Sequence, residues 1–151
     1  MIIKKEVEQV VESGIKPITL DLQRVISFSE EVEGIRTSLT IKSLELGVLT
    51  ANEYRFIARR TNQGSRLVER NIEKLFFFFN DIKKEFKTAK FFTISVYARS
   101  LADEVLYQML SDCFEKFPDV EPEKICIELS ADILFENIEF RWLLSWNGTN
   151  I

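Results

Sequence analysis

Lys124-Ile125-Cys126-Ile127-Glu128-Leu129-Ser130 is the run from which the fold of this chain can be read. Its β-branched and apolar residues, at strand length, predict a short buried strand, with Pro122 marking where it begins. Glu128 stands in the middle of that run. Desolvating a carboxylate is costly unless it is paired or holds a metal. A strand with one wet face would instead let Glu128 point outward. The run alone leaves both readings open, and the chain around it has to decide.

At 151 residues there is room for one domain with a substantial core. An apolar content of 46% and a charged content of 29% belong to a soluble globular protein. A net charge of −4 with interspersed signs gives no basic field for nucleic acid. The sequence has no histidine, which removes the commonest general base and zinc ligand together. Cys113 and Cys126 lack metal or redox spacing and sit in apolar runs, so buried free thiols are expected. That usage, with no signal peptide, predicts a reducing cytoplasm. The longest apolar run, Leu75 to Phe79, is far too short to span a membrane.

Upstream, Ile3, Val7, Val10 and Val11 recur on one face of a leading helix that Gly14 stops. Lys16-Pro17-Ile18-Thr19-Leu20 begins a strand, and Pro17 suits its first or edge position. Val25 to Phe28 reads as a second extended piece, Glu30, Glu31 and Glu33 as a solvated turn, and Gly34 to Ile41 as another strand. Leu46 to Leu49 reads as a connecting loop. Thr50 with Glu53 is a capping box that opens a helix through Arg60, which Asn62-Gln63-Gly64 breaks. From Ser65 a long helix is expected to about Lys87, with Val68, Ile72, Leu75, Phe79, Ile82 and Phe86 on one stripe. Phe76 to Phe79 exceed that stripe, so the helix is buried on two sides or meets a partner. Phe91 to Val96 is a strand. Ser100 with Asp103 repeats the capping-box pattern before an amphipathic helix to about Phe117, and Pro118 and Pro122 bracket the loop that follows. Strand, helix and strand alternating at this spacing predict parallel pairing through right-handed crossovers, an α/β fold.

No phosphate-cradling glycine loop, Ser/His/Asp set or Cys/His cluster is present. In series, however, the segments resemble the first half of the EAL domain, the phosphodiesterase family that hydrolyses cyclic di-guanylate. Lys16-Pro17-Ile18 stands where that family has Gln-Pro-Ile, and Gly34-Ile35-Arg36-Thr37-Ser38-Leu39 where it has Gly-x-Glu-Ala-Leu-Leu. Glu45-Leu46-Gly47-Val48-Leu49-Thr50 followed by Glu53-Tyr54 is similar to its Glu-Leu-Gly helix approach. Ser95 to Leu101 lines up with Asn-Val-Ser-x-x-x-Leu, and Ile127-Glu128-Leu129-Ser130 with Leu-Glu-Ile-Thr. The resemblance implies a partial TIM-like (β/α) barrel, roughly its first four strands with their helices, over residues 1–138. Residues 139–151 then form a divergent tail.

The same resemblance implies a site at the carboxyl ends of the strands, where such barrels keep their chemistry. The family holds magnesium or manganese there through glutamates, an asparagine and aspartates, and the metals activate a water. In this chain Arg36 stands at the motif glutamate, Thr40 at the phosphate-contacting arginine, Ser95 at the ligand asparagine and Ala131 at a second acid. Glu128 is the one family ligand position retained as a carboxylate, and Arg36 is the expected ion-pair partner for it, from a neighbouring strand. No catalytic residue, no metal cofactor and doubtful cyclic di-guanylate binding are therefore expected. A premature stop, a frameshift or divergence would each give such an ending. The expected role is a catalytically inactive, regulatory or protein-binding module, with a protein partner or a second copy covering the half-barrel edges. The alternatives are a fragment or divergent form of an active phosphodiesterase, and a receptor that keeps the dinucleotide pocket without the metals.

Overall fold

The computed structural model describes residues 18–43, 46–60, 63–97 and 105–129. Strand β1 (Ile18–Ile26) and strand β2 (Val32–Ser43) form an antiparallel hairpin, with Leu20 opposite Leu39 and Gln23 opposite Arg36. The turn between them is closed by its own backbone: Ser27 N–H donates to the Glu31 carbonyl (2.9 Å) and Glu30 N–H to the Ser27 carbonyl (3.0 Å). The acidic cluster is thus a turn, as expected, although Glu33 lies within β2 and pairs with Lys90 at 2.6 Å. No second extended piece begins at Val25. β1 runs through to Ile26, and its polar residues Asp21 and Gln23 are simply the outward half of a period-two alternation with Leu20 and Leu22.

The stretch expected as a loop contains strand β3 (Gly47–Leu49), which pairs antiparallel with the far end of β2, Leu49 opposite Ile41. Three residues are too few to display a periodicity, so only the pairing reveals them. Helix α1 (Ala51–Arg60) follows, and helix α2 (Gln63–Glu85) begins two residues before the expected start, with Gln63 and Gly64 inside it. Strand β4 (Phe91–Val96), helix α3 (Val105–Lys116), a 3₁₀ turn (Pro122–Lys124) and strand β5 (Ile125–Leu129) complete the described chain. The leading helix, the Ser100 capping box, Ala131 and the boundary at 138 lie outside the described residues.

The sheet is ordered β1-β2-β4-β5, with β3 beside the end of β2. β2, β4 and β5 are parallel, as the alternation predicted, whereas the β1–β2 hairpin makes the sheet mixed. One face carries Ile35, Phe92, Ile94, Val96 and Ile125, and it packs against Val68, Ile72, Leu75, Phe76, Phe79 and Ile82 of α2 and Leu106, Leu110 and Phe114 of α3. Each such side chain removed from water contributes about 1.5–3 kcal/mol. A second cluster, Ile18, Leu39, Ile41, Leu49, Tyr54 and Leu67, ties α1 to the other end of β2.

The phenylalanine run divides by helical phase. Phe76 and Phe79, three apart and so on one side, are buried against Phe114 and Phe92 with ring centroids at 4.9 and 5.1 Å. Phe77 and Phe78 are turned outward, 67% and 42% exposed, and stack edge-on against each other at 4.9 Å. Core burial therefore accounts for half of the run.

The other sheet face is polar. Alternation places Arg36, Ser38, Thr93, Ser95, Cys126 and Glu128 on it. Cys126 is accordingly exposed, against expectation, while Cys113 is buried in α3, where burial pushes its thiol up to about 11. β5, expected to be buried almost throughout, has one buried residue, Ile125, because it stands at the end of the described sheet.

At the amino end of this face the Phe91 ring lies over Gly34, its register partner, so closely that a Cβ on residue 34 would overlap it. Gly34→Ala is expected to lower stability by about 1–3 kcal/mol, the usual cost of overpacking. In urea melts, the Gly34→Ala/Phe91→Ala double variant should lose less than the sum of the two single losses, because the clash is gone.

Candidate functional site

The polar face, the start of α1 and Leu67, Val68 and Asn71 of α2 line a cavity of about 380 Å³. β1 supplies Asp21 and Gln23, β2 supplies Arg36 and Ser38, β4 ends in it with Ser95 and Val96, and β5 contributes Glu128. Thr50, Asn52 and Arg55 close one side. The volume lies within the range of small-molecule sites.

Its electrostatic centre is one ion pair. Arg36 Nε donates to Glu128 Oε2 at 2.8 Å, and Thr93 Oγ1 donates to the same oxygen at 3.4 Å. The sequence reading paired these two residues correctly but placed them on neighbouring strands. β4 lies between β2 and β5: Arg36 is level with Thr93, and Glu128 with Ser95. Two inter-strand spacings amount to about 10 Å, a gap that an extended arginine can cross and that shorter side chains cannot. The two side chains are 50% and 35% exposed. At that exposure the attraction is screened by water and contributes about 1 kcal/mol or less.

The floor of the cavity includes a buried polar contact between Thr37 and Asn71 that the sequence reading did not single out. Thr37 Oγ1 donates to the Thr93 carbonyl at 2.6 Å and lies 3.2 Å from Asn71 Oδ1 of α2. Thr37 and Asn71 are both buried. A signal for this was available: Asn71 falls between Leu67 and Leu75 at four-residue intervals, a polar side chain on an apolar stripe. Such a residue needs a partner.

α1 is anchored by the expected capping box. Glu53 Oε2 accepts from Thr50 N–H at 2.6 Å and from Thr50 Oγ1 at 2.9 Å. These bonds, the backbone one foremost, hold the Glu53 carboxyl below its ordinary range. Arg55 Nη2 donates to Asn52 Oδ1 at 2.6 Å. Tyr54 Oη donates to the Leu39 carbonyl at 2.6 Å, and burial pushes its phenol above the usual tyrosine range.

Of the positions singled out from sequence, Arg36, Ser95 and Glu128 therefore converge on one cavity. Thr40 does not: it lies further along β2, opposite Thr19, whose Oγ1 is 3.4 Å from the Thr40 carbonyl. Among the described residues no three of the Asp, Glu, Cys and His types gather closely enough to hold a metal ion. No described helix is long and apolar enough to cross a membrane.

No protein-family model and no curated protein sequence matches this chain. Solved structures do. The fold is that of part of an EAL domain, a partial TIM-like (β/α) barrel. The FimX EAL domain superposes with a TM-score of 0.72 at 14% identity, over 88% of this chain and 52% of that one. Vibrio cholerae LapD, S helix-GGDEF-EAL bound to c-di-GMP, gives 0.70 at 15%, over 94% and 33%. The PaMucR phosphodiesterase in its c-di-GMP complex gives 0.68 at 13%, over 91% and 55%. The chain thus spans from about a third to about half of the length of these structures.

Thr37→Val keeps the shape and removes the hydroxyl, leaving the buried amide of Asn71 without that neighbour. It is expected to cost about 1–3 kcal/mol in chemical denaturation, the penalty for an unmet buried polar group.

Proposed function

We propose that this chain is a catalytically inactive EAL-type module of cyclic di-GMP signalling, acting by binding or regulating another protein. The observation that carries the proposal is the guanidinium of Arg36 on the carboxylate of Glu128. Magnesium and manganese require several oxygen ligands, with carboxylates among them to offset the charge. Here the carboxylate at the expected ligand position already faces a cation, and its other described neighbour is the Thr93 hydroxyl. This donor set does not fit a divalent metal, so the proposal includes no metal cofactor and no hydrolytic step. Glu128 is a former ligand position that now serves an ion pair.

A binding role needs no metal centre and is compatible with the packed core beneath the polar face. β1 and β5 stand at the two ends of the described sheet, and a protein partner or a second copy pairing along them is part of the proposal. So is a reducing cytoplasmic setting, which accords with two free cysteines. Likeness to PaMucR, described as a phosphodiesterase in complex with c-di-GMP, favours the second reading, a piece or divergent form of an active enzyme.

Purified protein incubated with cyclic di-GMP and manganese or magnesium is expected to yield no linear product above the buffer control. Product that disappears in Glu128→Gln would establish the second reading instead. Calorimetry with cyclic di-GMP separates the remaining case: tight binding without turnover would make the chain a receptor for the dinucleotide.

A further inference from the structure

Three strands meet at one carboxylate oxygen. Arg36 reaches Glu128 Oε2 from β2, Thr93 reaches it from β4, and Glu128 itself stands on β5. The charge that holds them is covalently part of the chain. Unlike a bound metal ion, it cannot be removed by a chelator. A divalent ion on the same oxygen would sit at about 2.0–2.6 Å. The guanidinium already stands 2.8 Å away, and two cations crowded on one oxygen repel strongly.

We infer that Arg36 is a resident cation: it takes the place on Glu128 that a divalent metal would need and makes this domain independent of metal. The inference rests on the non-catalytic reading above and adds to it what replaced the metal. Arg36 is here a positioning residue, holding Glu128 and with it the carboxyl end of β5. Without its charge the carboxylate keeps, among the described residues, the Thr93 hydroxyl. With a carboxylate in its place, two acids would face each other across β4, beside Ser38, Ser95 and Asp21 of the same cavity. Such a set of oxygen donors would call for a hard cation.

The test compares the wild-type chain with Arg36→Gln, Arg36→Glu, Arg36→Glu/Glu128→Gln and Arg36→Gln/Glu128→Gln. Thermal melts are run in EDTA and in millimolar manganese, and metal uptake is read from the loss of the free manganese resonance signal. The wild type is expected to melt at the same temperature in both buffers and to take up no manganese. Arg36→Glu should melt lower in EDTA, gain several degrees with manganese and take the ion up, and Glu128→Gln in the same chain should abolish both effects. Equal manganese responses in the wild type and Arg36→Glu would overturn the inference, as would a folded Arg36→Glu that ignores the ion. Should Arg36→Glu fail to fold in either buffer, Arg36→Gln decides. Weak manganese uptake that its Glu128→Gln partner variant lacks supports the resident-cation role, and no uptake overturns it. Hydrolysis of cyclic di-GMP by the wild type would sink the non-catalytic reading whatever these melts show. A metal-indifferent Arg36→Glu would sink the inference and leave that reading standing.

Discussion

The packing of α2 across β2 and β4 is what the rest of the structure depends on. Ile72, Leu75 and Phe79 meet Ile35, Phe92 and Ile94 there, and all six are essentially inaccessible to water. That contact fixes which face of the sheet is apolar. Because side chains alternate strictly along a strand, it also fixes which face is polar. Arg36 follows from Ile35, Thr93 from Phe92 and Ile94, and Glu128 from Ile127. The ion pair at the site is thus a consequence of core packing on the opposite side of the same strands. It is not a separate device added to the surface.

This arrangement separates stability from function by direction. Toward α2 and α3 the residues are interdigitated hydrophobic side chains, with one buried polar contact, Thr37 with Asn71, that fixes how the helix sits on the sheet. Toward the cavity stand hydroxyls, two arginines and two carboxylates, together with buried core residues such as Leu39, Leu67 and Val68 that form its floor. The likeness to EAL domains at 13–16% identity fits that division. A fold held by the apolar face can persist while the polar face varies, since fold and site answer to different constraints.

Much of the layout was legible in the sequence because it follows from local pattern. The β2, β4 and β5 runs, the Thr50–Glu53 box and the α2 stripe all announce themselves through period or capping chemistry. β3 did not, being three residues long, and neither did the antiparallel hairpin that makes the sheet mixed. The phenylalanine run was ambiguous because four consecutive aromatics satisfy any helical phase. The stripe already placed Phe79 inward, and the contact with Phe114 shows that Phe76 points inward beside it.

The sequence by itself determined the α/β alternation, the single carboxylate in the last described strand and the arginine standing opposite it in the EAL pattern. It also determined, through the absence of histidine, what chemistry the site could not use. Only the tertiary structure decided that Arg36 reaches Glu128 across an intervening strand. It likewise decided that Cys126 is exposed and that Asn71 is buried on Thr37. The physical reason is that these facts depend on strand order and on which face a strand presents. Both are set by contacts between residues far apart in the chain, which no local period encodes.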